Sequence, residues 1–145
     1  MFALTTKPIN QIEIPVHLKD QSNGGIVLFE GLVRNHNEGR AVRSLEYECF
    51  EEMALDEGKK IINEAMIKFG VKHLYAIHRY GHLEIGEVAI RVAVSAPHRQ
   101  EAFLACQYVI DEIKRRVPIW KKEHYVEGIS EWVACHQCSC GGQHL

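Results

Sequence analysis

Glu87-Val-Ala-Ile-Arg-Val-Ala-Val-Ser-Ala-Pro-His-Arg99 is the stretch on which the fold turns. Val88, Ile90, Val92 and Val94 alternate with Ala89, Arg91 and Ala93, the period of two that a β-strand requires. The pattern then changes. Ser95 is a helix-capping residue type, and Pro97 suits a first helical turn, where its missing N–H is not needed. Ala102, Cys106, Val109, Ile110 and Ile113 follow at helical spacing, until Pro118 ends the run. One strand over residues 87–96 therefore feeds one long helix, with Ser95 expected as its cap.

The same signals extend outward in both directions. Residues 72–80 read as a strand, and Gly81 and Gly86 bracket the connection to the next one. Upstream, Ala54, Gly58, Ile61, Ile62, Ala65 and Phe69 place a helix over residues 51–69, with Gly70 as its C-cap. Residues 24–34 form a strand opened by glycines, residues 35–40 a mobile polar loop, and residues 42–50 a second strand. Downstream, Ile119 to Tyr125 and Ile129 to Val133 read as short strands. Strands interleaved with two long helices define an α+β class.

With 145 residues, the chain has the length of one domain and can bury a core without staples. That domain is expected to span residues 1–134, with residues 135–145 as a flexible tail. A net charge of −2 gives no bulk attraction to nucleic acid or to an anionic membrane. No apolar run approaches the roughly 20 residues of a membrane span. The first residues lack the layout of a signal peptide, so a cytoplasmic location is expected. Of five cysteines, Cys49 and Cys106 fall within apolar patterns, while Cys135, Cys138 and Cys140 crowd the tail beside His136 and His144. A single C-x-x-C is half of the usual structural zinc pattern, so no metal site is expected. The chain also lacks the phosphate-binding P-loop, the dinucleotide G-x-G-x-x-G, the zinc-protease H-E-x-x-H and the serine-hydrolase G-x-S-x-G motifs.

Four places can carry chemistry. His98 and Arg99 stand where a helix begins, and exposed N–H groups there favour an anion. An ordinary solvated first turn explains the same letters. Lys114 borders the buried stripe of that helix, where Asp111 at i−3 is its ordinary surface partner. Lys121 and Glu123 share one face of a strand, and Trp120 and Lys122 share the other. That arrangement fits an ammonium and a carboxylate in an active site, and it also fits a solvated edge strand. Arg34 closes a strand just before a polar loop, a usual position for a binding residue, and a bulge at Gly31 would alter its face.

The order of these signals is more specific than any one of them. Phe29-Glu-Gly-Leu-Val-Arg34-Asn-His-Asn, Leu45-Glu-Tyr-Glu, His78-Arg-Tyr-Gly-His-Leu-Glu-Ile-Gly-Glu87, Ser95-Ala-Pro-His-Arg99, Ile110-Asp-Glu-Ile-Lys114, Pro118-Ile-Trp-Lys-Lys-Glu123 and Glu127-Gly followed by Trp132 occur in that sequence. Over residues 24–133 the chain resembles the large, catalytic subunit family of molybdopterin synthase. The resemblance implies an α/β-hammerhead fold with additional antiparallel β-structure. It implies sulfur transfer from the C-terminal thiocarboxylate of a ubiquitin-like small subunit to cyclic pyranopterin monophosphate (precursor Z), a step of molybdenum cofactor biosynthesis. No cofactor is implied, because the partner brings the sulfur. Two large subunits form a central dimer in that family. Carried over by position, the substrate pocket is Arg34, His98, Arg99, Lys114 and Lys121, lined by Phe29 and Ile110. Lys114, Lys121 and Glu123 are the catalytic set, and Trp120 and Pro118 hold their wall against the core. The family's basic residue four positions after the last Trp is here His136. Two readings of other classes compete: a non-catalytic module that binds a ubiquitin-like Gly-Gly tail, and a metal-binding protein that uses its cysteines.

Overall fold

A computed structural model of the chain describes residues 1–135. In chain order its elements are β1 (Phe2–Thr5), β2 (Gly25–Leu32), β3 (His36–Asn37), β4 (Arg40–Cys49), α1 (Glu51–Phe69), β5 (His73–Arg79), β6 (Gly81–Glu84), β7 (Val88–Ala96), α2 (Arg99–Arg116), β8 (Ile119–Tyr125) and β9 (Trp132–Ala134). Two short 3-10 turns, Ile9–Gln11 and Val16–Lys19, lie between β1 and β2. The class is mixed α+β with two long helices, as expected. Among the described residues no helix is long and apolar enough to cross a membrane.

One sheet has the order β1-β5-β7-β2, with β1 parallel to β5 and the other pairs antiparallel. All nine residues of β7 are buried, because both faces of this central strand are covered. Ile90, Val92 and Val94 meet Ala54, Ile61 and Ala65 of α1 and Ala102, Cys106 and Val109 of α2 in the main core. Ala93 lies in a smaller cluster with Ile9 and Leu18 of the 3-10 turns. The predicted alternation holds except at its start, where Val88 belongs to the smaller cluster and Ala89 to the main one. Gly31 pairs with Ile90 but Leu32 with Val88, so Ala89 is an extra residue in the ladder. Such a bulge reverses which side chain faces the core.

The helices meet the expected bounds closely. α1 ends at Gly70, whose φ of 66° is the left-handed C-cap conformation. A Cβ at Gly58 would lie 2.3 Å from the Phe2 ring, so the bare backbone there lets β1 approach α1. α2 begins one residue after its N-cap, His98. The expected Ser95 cap is therefore wrong. Ser95 is still strand, and its hydroxyl accepts a 3.0 Å hydrogen bond from the Asn23 amide. The residue before a proline avoids helical ψ, so Pro97 delays the helix past Ala96. The same rule ends it: Val117, before Pro118, is extended at ψ 129°. Arg116 ties the two helices together, with nitrogens 2.8 Å from Glu57 and 2.6 Å from Glu64.

The second sheet has the order β3-β4-β8-β9, and β6 also pairs with β4. Three expectations change here. Residues 35–40 are a tight hairpin through β3 rather than a loop without partners. The Gly81–Gly86 connection contains a strand of its own, which carries the chain from one sheet to the other. The final strand starts at Trp132, and Ile129 is exposed before it.

Candidate active site

β8 is flanked by β4 on one side and β9 on the other, so the edge-strand reading of Lys121 and Glu123 fails. Lys121 stands opposite Tyr47, and Glu123 opposite Leu45. The lysine is 7% exposed, and its Nζ lies 3.4 Å from Glu123 Oε1. Charges are removed from water only where they are paired, so this buried pair marks a place where the fold spends stability. Lys122 points to the opposite face, with its Nζ 5.8 Å from the centre of the Trp132 ring. Trp120 shares that outer face and stands edge-on to the exposed Phe50, with ring centroids 5.1 Å apart. It therefore braces a surface, and the expectation that it anchors the wall in the core is corrected.

Two spaces meet at the Lys121–Glu123 pair. A groove of about 1170 Å³ runs between the β3–β4 hairpin and residues 125–133, and both side chains line it. A narrow cleft also includes both and adds Arg34, His36 and Tyr47. Arg34 is exposed and follows Val33, whose N–H donates to the Glu87 carbonyl at 3.0 Å. The register does shift beside Gly31, and beyond it Val33 is buried and Arg34 is exposed.

Lys114 lies behind this cleft. It lines a 10 Å³ void with Tyr47, His78, Ile113 and Cys135, so Tyr47 is a wall shared with the Lys121 cleft. His78 is buried, and its Nδ1 is 2.7 Å from the Arg79 carbonyl oxygen, which makes Nδ1 the protonated donor. Burial lowers its pKa to about 4; the carbonyl bond opposes that shift and the Lys114 charge adds to it. Tyr47 meets the imidazole edge-on, with centroids 5.0 Å apart.

The other expected residues fall elsewhere. Phe29 and Ile110 are half-buried and pack against the main core rather than lining the groove or cleft. His98 and Arg99 line a separate shallow pocket with Phe103 and Leu104. Lys114 lies fifteen positions after Arg99 on α2, about 22 Å along the axis at 1.5 Å per residue. The His98 side chain is 83% exposed, with Nδ1 3.8 Å from Glu101. One chain therefore brings Arg34, Lys121 and Glu123 together, sets Lys114 behind Tyr47, and leaves His98 and Arg99 apart.

The His78–Glu87 motif builds a corner. The Arg79 guanidinium pairs with the Glu87 carboxylate and donates to the His82 carbonyl at 3.2 Å. Glu87 also accepts the Glu84 N–H at 2.9 Å, and that bond, with Arg79, holds its carboxyl below the usual range. Asn37, Arg40 and Tyr125 brace the wall of the groove and Tyr47 lines the cleft, and sequence reasoning singled out none of them. Leu45-Glu-Tyr-Glu could have pointed to Tyr47; Arg40 had no sequence signal. Among the described residues no group of three or more His, Cys, Asp or Glu side chains could hold a metal. The tail expectations for His136, Cys138, Cys140 and His144 lie outside the described residues.

Comparison with known proteins adds the remaining observation. Residues 4–116 match the family model described as MoaE protein. The chain is 41% identical over 143 residues to the molybdopterin synthase catalytic subunit of Nostoc sp., covering 98% of this chain and 87% of that one. It is 47% identical over 128 residues to the molybdopterin synthase catalytic subunit of Pyrococcus abyssi, covering 87% and 86%. The crystal structure of molybdopterin synthase from Staphylococcus aureus superposes with a TM-score of 0.80 at 34% identity, over 90% of this chain and 94% of that one.

Proposed function

The chain belongs to the MoaE protein family, that of the molybdopterin synthase catalytic subunits, and on that premise we propose that it converts precursor Z into molybdopterin with sulfur from a ubiquitin-like small subunit. The observation that carries the reading is the buried Lys121–Glu123 pair at the junction of a long groove and a narrow cleft. Such a junction suits two reactants that enter separately, an extended C-terminal tail and a pterin. The fold type is the α/β hammerhead with added antiparallel strands. Residues 1–134 act as one catalytic domain in the cytoplasm, with residues 135–145 appended, and the enzyme needs no resident cofactor or metal.

Both reactants are anionic. The thiocarboxylate sulfur attacks an electrophilic, oxygen-bearing carbon of the pterin side chain; a C–O bond at that carbon breaks, the oxygen takes up a proton and leaves as water, and an acyl thioester is formed. Water then adds to the acyl carbon, the C–S bond breaks, the sulfur stays on the pterin, and the small subunit leaves as a carboxylate. Molybdopterin carries two dithiolene sulfurs and each thiocarboxylate brings one, so a second small subunit supplies the other. Lys121 faces the negative charge that grows on the acyl oxygen during this displacement, and fixed positive charge in a water-poor site is most effective there. Glu123 holds the lysine in place and receives or returns a proton. Arg34 binds the pterin in the cleft, and Lys114 adds positive potential from behind Tyr47.

His98 and Arg99 bind the cyclic phosphate. Their distance from Lys114 along α2 supports a reading in which they do so across a dimer, a second copy presenting its α2 start to the first copy's cleft. The decisive experiment mixes the purified chain with thiocarboxylated small subunit and precursor Z and measures molybdopterin. Binding of the small subunit without product would favour the non-catalytic module instead.

A further inference from the structure

Arg40, the first residue of β4, engages the opposite wall of the groove. Its guanidinium lies over the Tyr125 ring, 3.4 Å from the centroid. One Nη donates to the carbonyls of Glu127 at 3.0 Å and Ile129 at 3.2 Å. Tyr125 is fixed from its other end, because its hydroxyl accepts the Asn37 amide at 3.0 Å. Gly128 lies between the two carbonyls with φ 98°, and a Cβ there would come within 2.4 Å of the same Arg40 nitrogen. Six residues of β3, β4, β8 and the segment after β8 thus form one contact. Without it, residues 127–131 would be held only by the Tyr125 N–H that donates to the Ser130 hydroxyl at 3.3 Å and, at their start, by the Val126 N–H that donates to the Ala41 carbonyl at 3.0 Å, with Val126 and Ile129 exposed.

We propose that Arg40 is a positioning residue for sulfur transfer: it clamps residues 126–131 into the fixed wall of the groove along which the small subunit's tail reaches Lys121 and Glu123. The inference rests on the proposed function and adds a role for a residue that touches neither reactant. Arginine suits the task, because its planar guanidinium can lie over the ring while an Nη at its edge donates to both carbonyls; a lysine ammonium has no plane to stack and sits on a shorter stem. Because the guanidinium is committed to those carbonyls and to Tyr125, it is turned toward the wall rather than toward an anionic substrate. A preformed wall spares the tail the loss of loop freedom on binding.

The test uses the full chain with a ubiquitin-like small subunit in its unreactive carboxylate form, and separately with precursor Z. Arg40→Ala should weaken small-subunit binding about tenfold, about 1.4 kcal/mol. Precursor Z affinity should stay the same, and so should kcat at saturating thiocarboxylated small subunit. Gly128→Ala attacks the clamp from the other side and should give the same pattern. Arg40→Lys should not rescue it. Unchanged small-subunit affinity in both Arg40→Ala and Gly128→Ala would overturn the clamp. So would rescue by Arg40→Lys, which would make charge alone the cause, or a loss of precursor Z affinity, which would make Arg40 a substrate ligand. A wild-type chain that fails to bind the small subunit would overturn the proposed function itself, an outcome separate from these.

Discussion

Acid should destabilise this protein through one imidazole before most of its carboxylates titrate. His78 is buried between β4, β7 and α2, faces Tyr47, Ile90, Ile113 and the Lys114 ammonium, and has a pKa lowered to about 4. In the unfolded chain its pKa returns to about 6.5, so between those values the unfolded state binds the extra proton. Its contribution to stability is therefore complete at neutral pH and lost as pH falls from about 6.5 to about 4. A shift of roughly 2.5 units at about 1.36 kcal/mol each gives a loss of about 3 kcal/mol. The assay is urea unfolding at half-unit steps from pH 7 to pH 4 for the wild type and for His78→Gln, which keeps a donor for the Arg79 carbonyl. Other groups titrate alike in both proteins, so the difference between the curves isolates the imidazole. The variant should be the flatter by about 3 kcal/mol. Parallel curves would refute the reasoning, and would mean that His78 opens to water or keeps a proton in the folded state.

Four further outcomes follow from the site and its supports. Lys121→Ala should lower molybdopterin formation about 100-fold or more; it should also destabilise the fold, because Glu123 is left buried, and adding Glu123→Gln should restore stability without activity, measured by unfolding and turnover together. Arg99→Ala should weaken precursor Z binding and leave small-subunit binding unchanged in parallel titrations, since each charge-assisted bond lost contributes roughly 1.5–3 kcal/mol. If the site is shared across a dimer, mixing and refolding Lys121→Ala with Arg99→Ala should recover about a quarter of wild-type turnover, because half the dimers are mixed and one of their two sites is intact; no recovery would return both residues to one chain. Glu64, held down to about 2 first by its Arg116 hydrogen bonds and then by the Tyr108 hydroxyl, supports the fold above its unfolded pKa near 4.5 and loses that support as pH falls toward 2, so Glu64→Gln should flatten the unfolding curve in that lower window.

The sequence was most readable where one periodicity ruled a long stretch. α1 and β8 have the expected bounds because apolar spacing and a terminating Gly or Pro agree over each of them. It was least readable where the chain changes direction. At Ser95 two local signals compete: its capping chemistry invites a helix, while Pro97 keeps the residue before it extended, and the hydroxyl is settled by the distant Asn23 amide. β6 was missed because four residues between two glycines carry too little pattern to reveal a strand whose partner, β4, lies far back in the sequence. The pair at Lys121 and Glu123 was legible from alternation alone, but its burial was not. That depends on β9 covering β8, a contact that a three-residue strand hardly announces.

The two faces of β8 explain why two acid–base pairs differ in character: Val33, Val42, Leu45 and Tyr47 lie around one of them, and the other faces outward. Glu46 and His124 meet at 2.8 Å on the outer face, half-exposed, where water screens them and the pair contributes little. Lys121 and Glu123 meet on the inner face at the longer distance of 3.4 Å, almost shut off from water. A pair selected for stability alone would close tighter or be replaced by apolar side chains, because burial penalises each charge. On the proposed function, such a buried pair is suited to release its lysine toward an arriving anion, and the same low-dielectric surroundings that make it expensive strengthen its field at the junction of the groove and the cleft.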